Sequence, residues 1–424
     1  MSSLVESRAR RELRSKRRQL TNSVCNSQSE MEEPSSACSV LVDRLDRALP
    51  ARIEAIRAEA IPSATRTRWR FGQKHDTQRF GVTFIAPILA PQDKGQTMKI
   101  AVIHDYADVL RTTRAFPRLK DHQVSVFTDA YTEPDRVVEQ VKGHDALLLT
   151  QQRVRLTRPI IERLPQLRFI SQTGRNTYHL DLAACTERGI VVSAGAGGGG
   201  GPYSTTAELS WGLILASLRH IPYEVESFKQ GNWHTTVGTR LFGQTLGIYA
   251  FGHIGAAVAR VGKAFGMKVI CWGREGSTAR ARAEGFEVAP SREAFFESAD
   301  VISLHLPGTK DTRGLITAAD LDRMKPTALL VNSSRAPIIE EGALVAALQK
   351  GRPGFAAVDV YEEEPAVGGK HPLLKMKNVI CTPHLGYAER GSYEALYTLA
   401  VDQLLAYAEG KPINVANPEA VGKR

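Results

Sequence analysis

One stretch decides the fold: Leu246-Gly247-Ile248-Tyr249-Ala250-Phe251-Gly252-His253-Ile254-Gly255. Its apolar first half predicts a β-strand, its glycines predict a tight turn, and residues 256 to 265 continue as a helix. In such a unit Gly252 lets the backbone approach a pyrophosphate, and Gly255 lets helix and strand pack closely. His253 and Ile254 complete the turn, and we expect His253 to face solvent rather than to act in catalysis. The stretch therefore predicts a dinucleotide-binding site.

Ala250 stands where the usual G-x-G-x-x-G pattern has its first glycine. The added methyl group is costly only where the backbone angle φ is positive. We expect the alanine to be a tolerated variant and count it with the cofactor-binding residues.

The end of the next predicted strand bears on the choice of dinucleotide. An NAD-binding protein usually has Asp or Glu there to accept hydrogen bonds from the ribose, whereas this chain has Gly273-Arg274-Glu275-Gly276-Ser277. Arg274 and Ser277 could bind a 2′-phosphate, but Glu275 could restore an acidic group to the ribose. We expect NAD or NADP as the cofactor, with NADP slightly favoured.

Apolar strands alternate with helical segments on both sides of this stretch, which predicts an α/β protein with two doubly wound parallel sheets. We expect five strands in the first sheet and six in the second. The first five are residues 99–103, 124–127, 146–149, 169–172 and 190–193; the other six are 245–251, 268–272, 301–306, 328–332, 355–360 and 378–382.

These strands divide the chain into a first domain over residues 98–197, completed by residues 386–417, and a second domain over residues 198–385. The glycine run from Gly195 to Gly201 lies at the boundary. It is either a flexible surface linker or a hinge beside a ligand cleft.

Residues 1–97 differ in composition and show no sustained strand pattern, so we expect a disordered extension. Because Met98 opens the first strand, translation starting at Met98 is a second hypothesis. This segment holds 17 Lys and Arg against 11 Asp and Glu, and thus most of the net charge of +10. The remaining residues have little excess charge, so we expect no nucleic-acid partner.

The bulk composition is that of a globular protein, with 42% hydrophobic and 24% charged residues. No apolar run is long enough to cross a membrane, so we expect no membrane partner. The five cysteines are odd in number and show no close pairing. We therefore expect a reducing, cytoplasmic location and no metal site.

Arg335, Glu364 and His384 each lie shortly after an apolar, β-branched run. Because the carboxyl ends of parallel strands border the ligand crevice, we expect the three side chains to meet there. A guanidinium can hold a carboxylate, and an imidazole can exchange a proton near neutral pH. Glu364 would hold one ring nitrogen of His384 and favour its charged form. The set predicts general acid/base chemistry on a hydroxyl or carbonyl group.

With these motifs, residues 98–417 resemble the D-isomer-specific 2-hydroxyacid dehydrogenase family, including its glyoxylate/hydroxypyruvate reductases and D-3-phosphoglycerate dehydrogenases. The resemblance rests on the turn at 250–255 and on the segments Ala299–Pro307, Asn332–Arg335, Asp359–Pro365, Thr382–His384 and Gly410–Asn414. It implies a flavodoxin-like substrate domain, a Rossmann NAD(P)-binding domain and a homodimer.

The resemblance also implies the reaction, in which a hydride passes between nicotinamide C4 and C2 of a small D-2-hydroxy acid or 2-keto acid. Arg335 would bind the substrate carboxylate, His384 would exchange the proton, Glu364 would pair with His384, and Asp359 would lie near the nicotinamide. The family's substrate-binding turn corresponds to Gly174, Arg175 and Asn176. Asn176 replaces a glycine that is frequent in the family, and Arg175 is either a second anion contact or a solvated loop residue.

Two alternatives stay open at this point. The first is a D-3-phosphoglycerate dehydrogenase without a regulatory domain. The sequence ends soon after Asn414, which leaves no room for the regulatory module of many such enzymes and weakens this alternative, although short forms exist in the family. The second is a dinucleotide-sensing corepressor or scaffold without enzymatic activity, because fold alone does not fix function.

Overall fold

The computed structural model of the protein describes residues 97–131, 133–195 and 204–423. Residues 1–96 of the predicted extension lie outside the described residues, as do residues 196–203, which include most of the glycine run. The hypotheses of a disordered extension, of a start at Met98 and of a hinge therefore stay predictions.

The first sheet has five parallel strands in the order β2-β1-β3-β4-β5, which is the flavodoxin-like arrangement. Its strands are short runs rich in Val, Ile and Leu that are largely buried, as expected for a parallel sheet covered on both faces. The strands are β1 Lys99–Ile103, β2 Gln123–Val126, β3 Ala146–Leu149, β4 Phe169–Gln172 and β5 Val191–Ala194. The interleaved helices are α1 Pro134–Val141, α2 Arg158–Glu162 and α3 Leu182–Glu187. The predicted strand positions are confirmed to within one residue at each end.

A helix from the far end of the chain covers part of this first sheet. It spans Arg390–Ala408 and packs its buried Tyr397, Val401 and Leu404 into the same cluster as Ile100 and Val102 of β1. The rings of Phe169 and Tyr407 stack with their centroids 4.3 Å apart. The first sheet is thus completed by a segment that follows all the strands of the second.

The second sheet has seven parallel strands in the order β8-β7-β6-β9-β10-β11-β12. They are β6 Thr245–Tyr249, β7 Lys268–Trp272, β8 Glu287–Val288, β9 Val301–Leu304, β10 Leu329–Asn332, β11 Phe355–Val358 and β12 Val379–Cys381. The expectation of six strands is wrong, because β8 has two residues and is too short to show an apolar periodicity in the sequence. The order around β6 is that of a Rossmann sheet, so the predicted fold class is confirmed.

Among the described residues, seven helices lie in the part of the chain that contains the second sheet. They are α4 Ser204–Leu218, α5 Ile221–Lys229, α6 His253–Ala264, α7 Glu275–Ala283, α8 Arg292–Ser298, α9 Ala318–Arg323 and α10 Ala343–Lys350; the helix over Arg390–Ala408 is α11. Apolar cores lie on the two faces of the sheet. Trp211 and Val258 belong to one, and Phe295 and Leu344 belong to the other. None of the helices in the described ranges is long and apolar enough to cross a membrane.

Candidate active site and cofactor-binding turn

The predicted catalytic residues follow three neighbouring strands of the second sheet. Arg335 follows β10, Glu364 follows β11 and His384 follows β12, and these strands lie side by side. All three residues therefore lie at the carboxyl edge of the sheet, where open α/β sheets bind ligands.

Glu364 and His384 form a direct hydrogen-bonded pair. The distance between His384 Nδ1 and Glu364 Oε2 is 2.6 Å. The other carboxylate oxygen, Oε1, accepts a hydrogen bond from the backbone N–H of Tyr361 at 2.9 Å. Burial would raise the pKa of Glu364, but its hydrogen bond and charge interaction with His384, together with Tyr361 and Arg335, lower it. Glu364 is thus an ionised, oriented partner for the imidazole.

The backbone at His384 is held in a left-handed conformation, with φ of 54°. Asp359 stabilises this loop through its carboxylate. Asp359 Oδ1 accepts hydrogen bonds from the Thr382 hydroxyl at 2.6 Å and from Leu385 N at 2.7 Å. Oδ2 accepts from Gly386 N at 2.8 Å. Asp359 has no exposed surface, and burial raises its pKa against the opposing effect of these bonds. Its contacts are those of a residue that positions His384, and a direct contact with the nicotinamide stays a prediction.

Arg335 is oriented by the turn that precedes it. Asn332 accepts a hydrogen bond from Ser334 N at 3.0 Å and donates one from Nδ2 to the carbonyl oxygen of Arg335 at 3.1 Å. A methyl group at Gly308 would lie 2.8 Å from Arg335 Cγ, so the glycine leaves room for the arginine stem. The side chain of Arg335 is exposed. The guanidinium can therefore reach an anion in the crevice.

This arrangement can bind a small anion and move one proton. His384 Nε2 has no hydrogen-bond partner within the described ranges, and Nδ1 is fixed by Glu364. The imidazole can therefore present a proton, or accept one, on the side away from Glu364. Arg335 is the adjacent cation that can hold a carboxylate.

The turn between β6 and α6 is the predicted dinucleotide site. Gly252 is the N-cap of α6, and a methyl group there would meet no atom of the described residues within 4 Å, so these residues leave the space in front of the helix open. A methyl group at Gly255 would lie 2.4 Å from the carbonyl oxygen of Ala250. His253 is exposed and Ile254 is half-buried in the first turn of the helix. An open helix N-terminus behind a glycine turn fits a pyrophosphate.

Ala250 adopts the conformation that the sequence argument identified as costly. Its φ is 73°, in the left-handed region. A side chain in this region costs an L-residue roughly 1–2 kcal/mol. The expectation of an easily tolerated variant therefore needs correction, because the chain keeps a locally strained residue at the cofactor turn.

The first residue after β7 is Gly273, which follows Trp272, so no carboxylate lies at this position. Arg274 caps α7 and is largely exposed, with Asp311 3.5 Å away. Ser277 Oγ accepts a hydrogen bond from Phe251 N at 2.6 Å, so Ser277 also fixes the cofactor turn. Glu275 is the first residue of α7 and is exposed.

Sequence reasoning missed a further cation beside this turn. Arg280 Nε donates to the carbonyl oxygen of Phe251 at 3.2 Å. The three-residue spacing between Ser277 and Arg280 was the available signal in the sequence, because residues three apart on a helix lie on the same face.

The predicted substrate turn follows β4 in the first sheet. Gly174 is buried, while Arg175 and Asn176 are exposed. In the part of the chain that is described, no hydrogen bond or ion pair joins this turn to Arg335, Glu364 or His384. Gly174 is instead surrounded by amides, because a methyl group there would lie 2.9 Å from Gln152 Nε2 and 3.1 Å from Gln151 Oε1.

A second group that the sequence did not indicate adjoins His384. The ring of Tyr387 lies 5.6 Å from the ring of His384, centroid to centroid. Tyr387 accepts a hydrogen bond from Arg153 of the first sheet's part of the chain. The three-residue spacing between His384 and Tyr387 was the available signal, but nothing in the sequence connected Arg153 to either.

Comparison with known proteins agrees with these features. Residues 211–386 match the family model described as "D-isomer specific 2-hydroxyacid dehydrogenase, NAD binding domain". The chain is 36% identical over 335 residues to a glyoxylate reductase of Aeropyrum pernix, covering 74% of this chain and 97% of that protein.

Two further similarities differ in how much of the related protein they cover. A D-3-phosphoglycerate dehydrogenase of Methanocaldococcus jannaschii is 34% identical over 279 residues, which is 65% of this chain but only 52% of that protein. The crystal structure of a phosphoglycerate oxidoreductase from Vibrio cholerae is 41% identical, with a TM-score of 0.69. That match covers 74% of this chain and 99% of the other.

Proposed function

Because the chain belongs to the D-isomer-specific 2-hydroxyacid dehydrogenase family, we propose that it reduces a small 2-keto acid to the D-2-hydroxy acid, with His384 as the general acid. The family membership makes it an oxidoreductase of CH–OH groups with a nicotinamide dinucleotide cofactor. The proposal rests above all on the 2.6 Å contact between His384 Nδ1 and Glu364 Oε2 beside Arg335.

In the proposed reduction, Arg335 binds the substrate carboxylate through its guanidinium, which fixes the keto group near the imidazole. His384 donates the proton on Nε2 to the carbonyl oxygen, and Glu364 stabilises the positive charge that the ring carries before this transfer. The bound cofactor supplies the hydride that C2 receives. In the reverse direction the same nitrogen accepts the proton of the C2 hydroxyl group.

The residues proposed to hold the cofactor are those of the glycine turn and of the end of β7. The backbone from Ala250 to Gly255 would hold the pyrophosphate at the start of α6. The absence of a carboxylate directly after β7, together with the exposed Arg274, supports the use of NADP, and Glu275 supports the use of NAD. We propose that both cofactors are accepted and that NADP is preferred.

We also propose a homodimer formed through the segment from Ile221 to Phe242. Half of the large apolar side chains that are exposed in the described residues lie in this segment. They are Ile221, Tyr223, Val225, Phe228, Trp233, Val237 and Phe242. A second copy of the chain would bury this patch, which is unusual on a monomer.

A cytoplasmic location is proposed on the cysteine pattern alone.

The test of the reaction is the initial rate of NADPH and NADH oxidation with glyoxylate, hydroxypyruvate and phosphohydroxypyruvate. His384→Ala should lower kcat by about 10²- to 10⁴-fold, the usual contribution of a general acid, while cofactor affinity is kept. His371→Ala is the matched control, because His371 also contacts a carboxylate, that of Glu362 at 2.9 Å, and makes no hydrogen bond to Arg335, Glu364 or His384 in the described part of the chain. The control should retain most of the activity.

Two results would contradict the proposal. One is a His384→Ala enzyme that keeps more than a tenth of the wild-type kcat. The other is a wild-type enzyme that binds NADPH or NADH but reduces none of the three keto acids. Faster oxidation of NADPH than of NADH, reversed in Arg274→Glu, would support the cofactor preference.

A further inference from the structure

The turn between β6 and α6 is held in place by the strand and the helix that follow it in the chain. Ala250 N donates a hydrogen bond to the carbonyl oxygen of Trp272, the last residue of β7, at 2.8 Å. Phe251 N donates to Ser277 Oγ at 2.6 Å, and the carbonyl oxygen of Phe251 accepts from Arg280 Nε at 3.2 Å. Three backbone groups of two adjacent turn residues therefore have partners in β7 and α7.

Phe251 is also fixed by its side chain. It is 1% exposed and belongs to the apolar core on one face of the sheet. Its ring lies 5.4 Å from the ring of Phe286, centroid to centroid. A rotation of the backbone at Phe251 would therefore break a hydrogen bond to α7, move the ring out of the core, or do both.

The fixed position of Phe251 matters because neither of its neighbours restricts the turn to this conformation. Ala250 has a φ of 73°, which is unfavourable for a residue with a side chain, and Gly252 has no side chain to limit its backbone. Helix geometry leaves the first N–H groups of α6 without an intrahelical acceptor, and such groups bind a pyrophosphate. Their direction depends on the path of the chain through Ala250, Phe251 and Gly252.

The contact between Arg280 and the turn uses only one of the donors of the guanidinium. Arg280 is exposed, and its two Nη groups donate no hydrogen bond to any described residue. Nη1 lies beside Gly276, since a methyl group there would be 3.9 Å away. The bond from Nε to Phe251 therefore requires an N–H donor at this position but no positive charge.

Resting on the dinucleotide use proposed above, we propose that Arg280 is a positioning residue for the cofactor-binding turn. Together with Ser277 it holds Phe251, and it thereby fixes the backbone from Ala250 to Gly255 in the form that receives the pyrophosphate. NAD and NADP share the pyrophosphate, so Arg280 serves both cofactors equally. Arg274 differs in this respect, because its place after β7 bears on the 2′-phosphate that only NADP carries.

The experiment compares two replacements of Arg280 that differ in a single hydrogen bond. In Arg280→Gln the amide nitrogen lies as many bonds from the backbone as Nε of the arginine, so an N–H donor is kept without the charge. Arg280→Met has a side chain of similar length and no donor. Arg282→Met is the matched control, because Arg282 is an exposed arginine of the same helix that bonds to Glu275 and to no residue of the turn in the described part of the chain.

Fluorescence titration without a keto acid gives the Kd for NADH and for NADPH. Arg280→Met should weaken the binding of both about tenfold, whereas Arg280→Gln and Arg282→Met should stay within about twofold of the wild type. In rate measurements Arg280→Met should raise KM for the cofactor and leave kcat and the KM for the keto acid unchanged. Ser277→Ala removes the acceptor of Phe251 N, should weaken both dinucleotides in the same way, and provides the test if Arg280→Met does not fold.

Three outcomes would overturn the proposal. Arg280→Met could bind both dinucleotides as tightly as the wild type. Both Arg280 variants could lose affinity for NADPH alone, as expected of a direct contact between the guanidinium and the 2′-phosphate. Arg280→Gln could also bind both dinucleotides as weakly as Arg280→Met, which would show that the charge and not the hydrogen bond is needed. Because the titrations require no turnover, they test Arg280 even if none of the keto acids is reduced.

Discussion

Ala250 shows how a single residue can hold strain at a binding site. Its φ of 73° places a side chain where glycine is usual, and it lies directly before the open turn at Gly252. The methyl group packs against the apolar core on that side of the sheet. Contacts of this kind can offset part of the backbone cost and keep the turn rigid.

Replacing Ala250 with glycine should raise the free energy of unfolding by about 1 kcal/mol, because the left-handed strain is removed. Ala257→Gly within α6 is the control, and it should lower the stability by about 0.5–1 kcal/mol, the usual cost of glycine in a helix. Urea unfolding of the apoprotein measures both. Equal losses in the two variants would show that Ala250 is not strained.

His179 gives the protein a sensitivity to acid. The residue is 5% exposed, both ring nitrogens lack partners in the described part of the chain, and burial lowers its pKa to about 4. An unfolded histidine titrates near 6.5, so the unfolded state binds more protons between pH 6.5 and 4. Stability is fully present above pH 6.5 and falls as the pH drops, by about 2 kcal/mol at pH 5 for this residue.

The corresponding measurement is the free energy of unfolding at pH 7 and pH 5. His179→Phe should lose about 2 kcal/mol less than the wild type over this interval, because phenylalanine does not titrate. His179→Leu is a second variant if the larger ring does not fit. An unchanged pH dependence in both variants would exclude His179 as an acid-sensitive group.

At the scale of the element, two glycines of the strand–turn–helix unit from β6 to α6 differ in what surrounds them. Gly255 lies where the helix contacts the preceding turn, whereas Gly252 faces open space at the helix start. The two glycines therefore have different physical reasons to be glycine.

Gly255→Ala should destabilise the protein by more than 1 kcal/mol, because its methyl group would lie 2.4 Å from the carbonyl oxygen of Ala250. Gly252→Ala should leave the apoprotein almost as stable as the wild type but weaken NADPH binding about tenfold or more, since the methyl group would occupy the space in front of the helix. Thermal unfolding and fluorescence titration distinguish the two effects. Similar behaviour of both variants would contradict this assignment.

The regular elements could largely be predicted from the sequence. Buried parallel strands are continuous apolar runs, and such runs gave the positions of β1 to β7 and β9 to β12. The two-residue β8 has too few side chains for any pattern. Strand ends were predicted two residues too long in β6, β9 and β11. Apolar residues such as Phe251 and Val360 continue beyond the ladder into buried turns.

The catalytic residues of the candidate site could be predicted only where a functional side chain lies a few residues after the end of a strand. Arg335, Glu364 and His384 are of this kind. The contacts of Asp359 with the loop of His384, and of Arg153 with Tyr387, join segments far apart in the sequence. They depend on how side chains pack after folding, which no local periodicity encodes.

At the scale of the whole molecule, the segment from Ile221 to Phe242 is the proposed dimer interface. Trp233 is 77% exposed and Phe228 is 63% exposed, and their rings lie 5.8 Å apart. Aromatic side chains of this kind are frequent anchors of protein interfaces.

Light scattering after gel filtration should give about twice the mass of the 46.5 kDa chain. Phe228→Glu should shift the protein towards the monomer, because a buried unpaired charge is unfavourable at an interface. Val367→Glu, at an exposed apolar residue outside the segment, is the control and should leave the dimer intact. A monomeric wild type at micromolar concentration would contradict the proposed assembly.

The packing of α11 on the first sheet has a consequence for synthesis on the ribosome. The strands of this sheet are made first, but part of the cover for Ile100, Val102 and Phe169 comes from Tyr397, Val401 and Leu404. Every strand of the second sheet is translated before these residues emerge. Among the described residues, part of the first sheet therefore lacks the cover of α11 while the rest of the chain is synthesised, a period in which nascent chains are prone to aggregate and to bind chaperones.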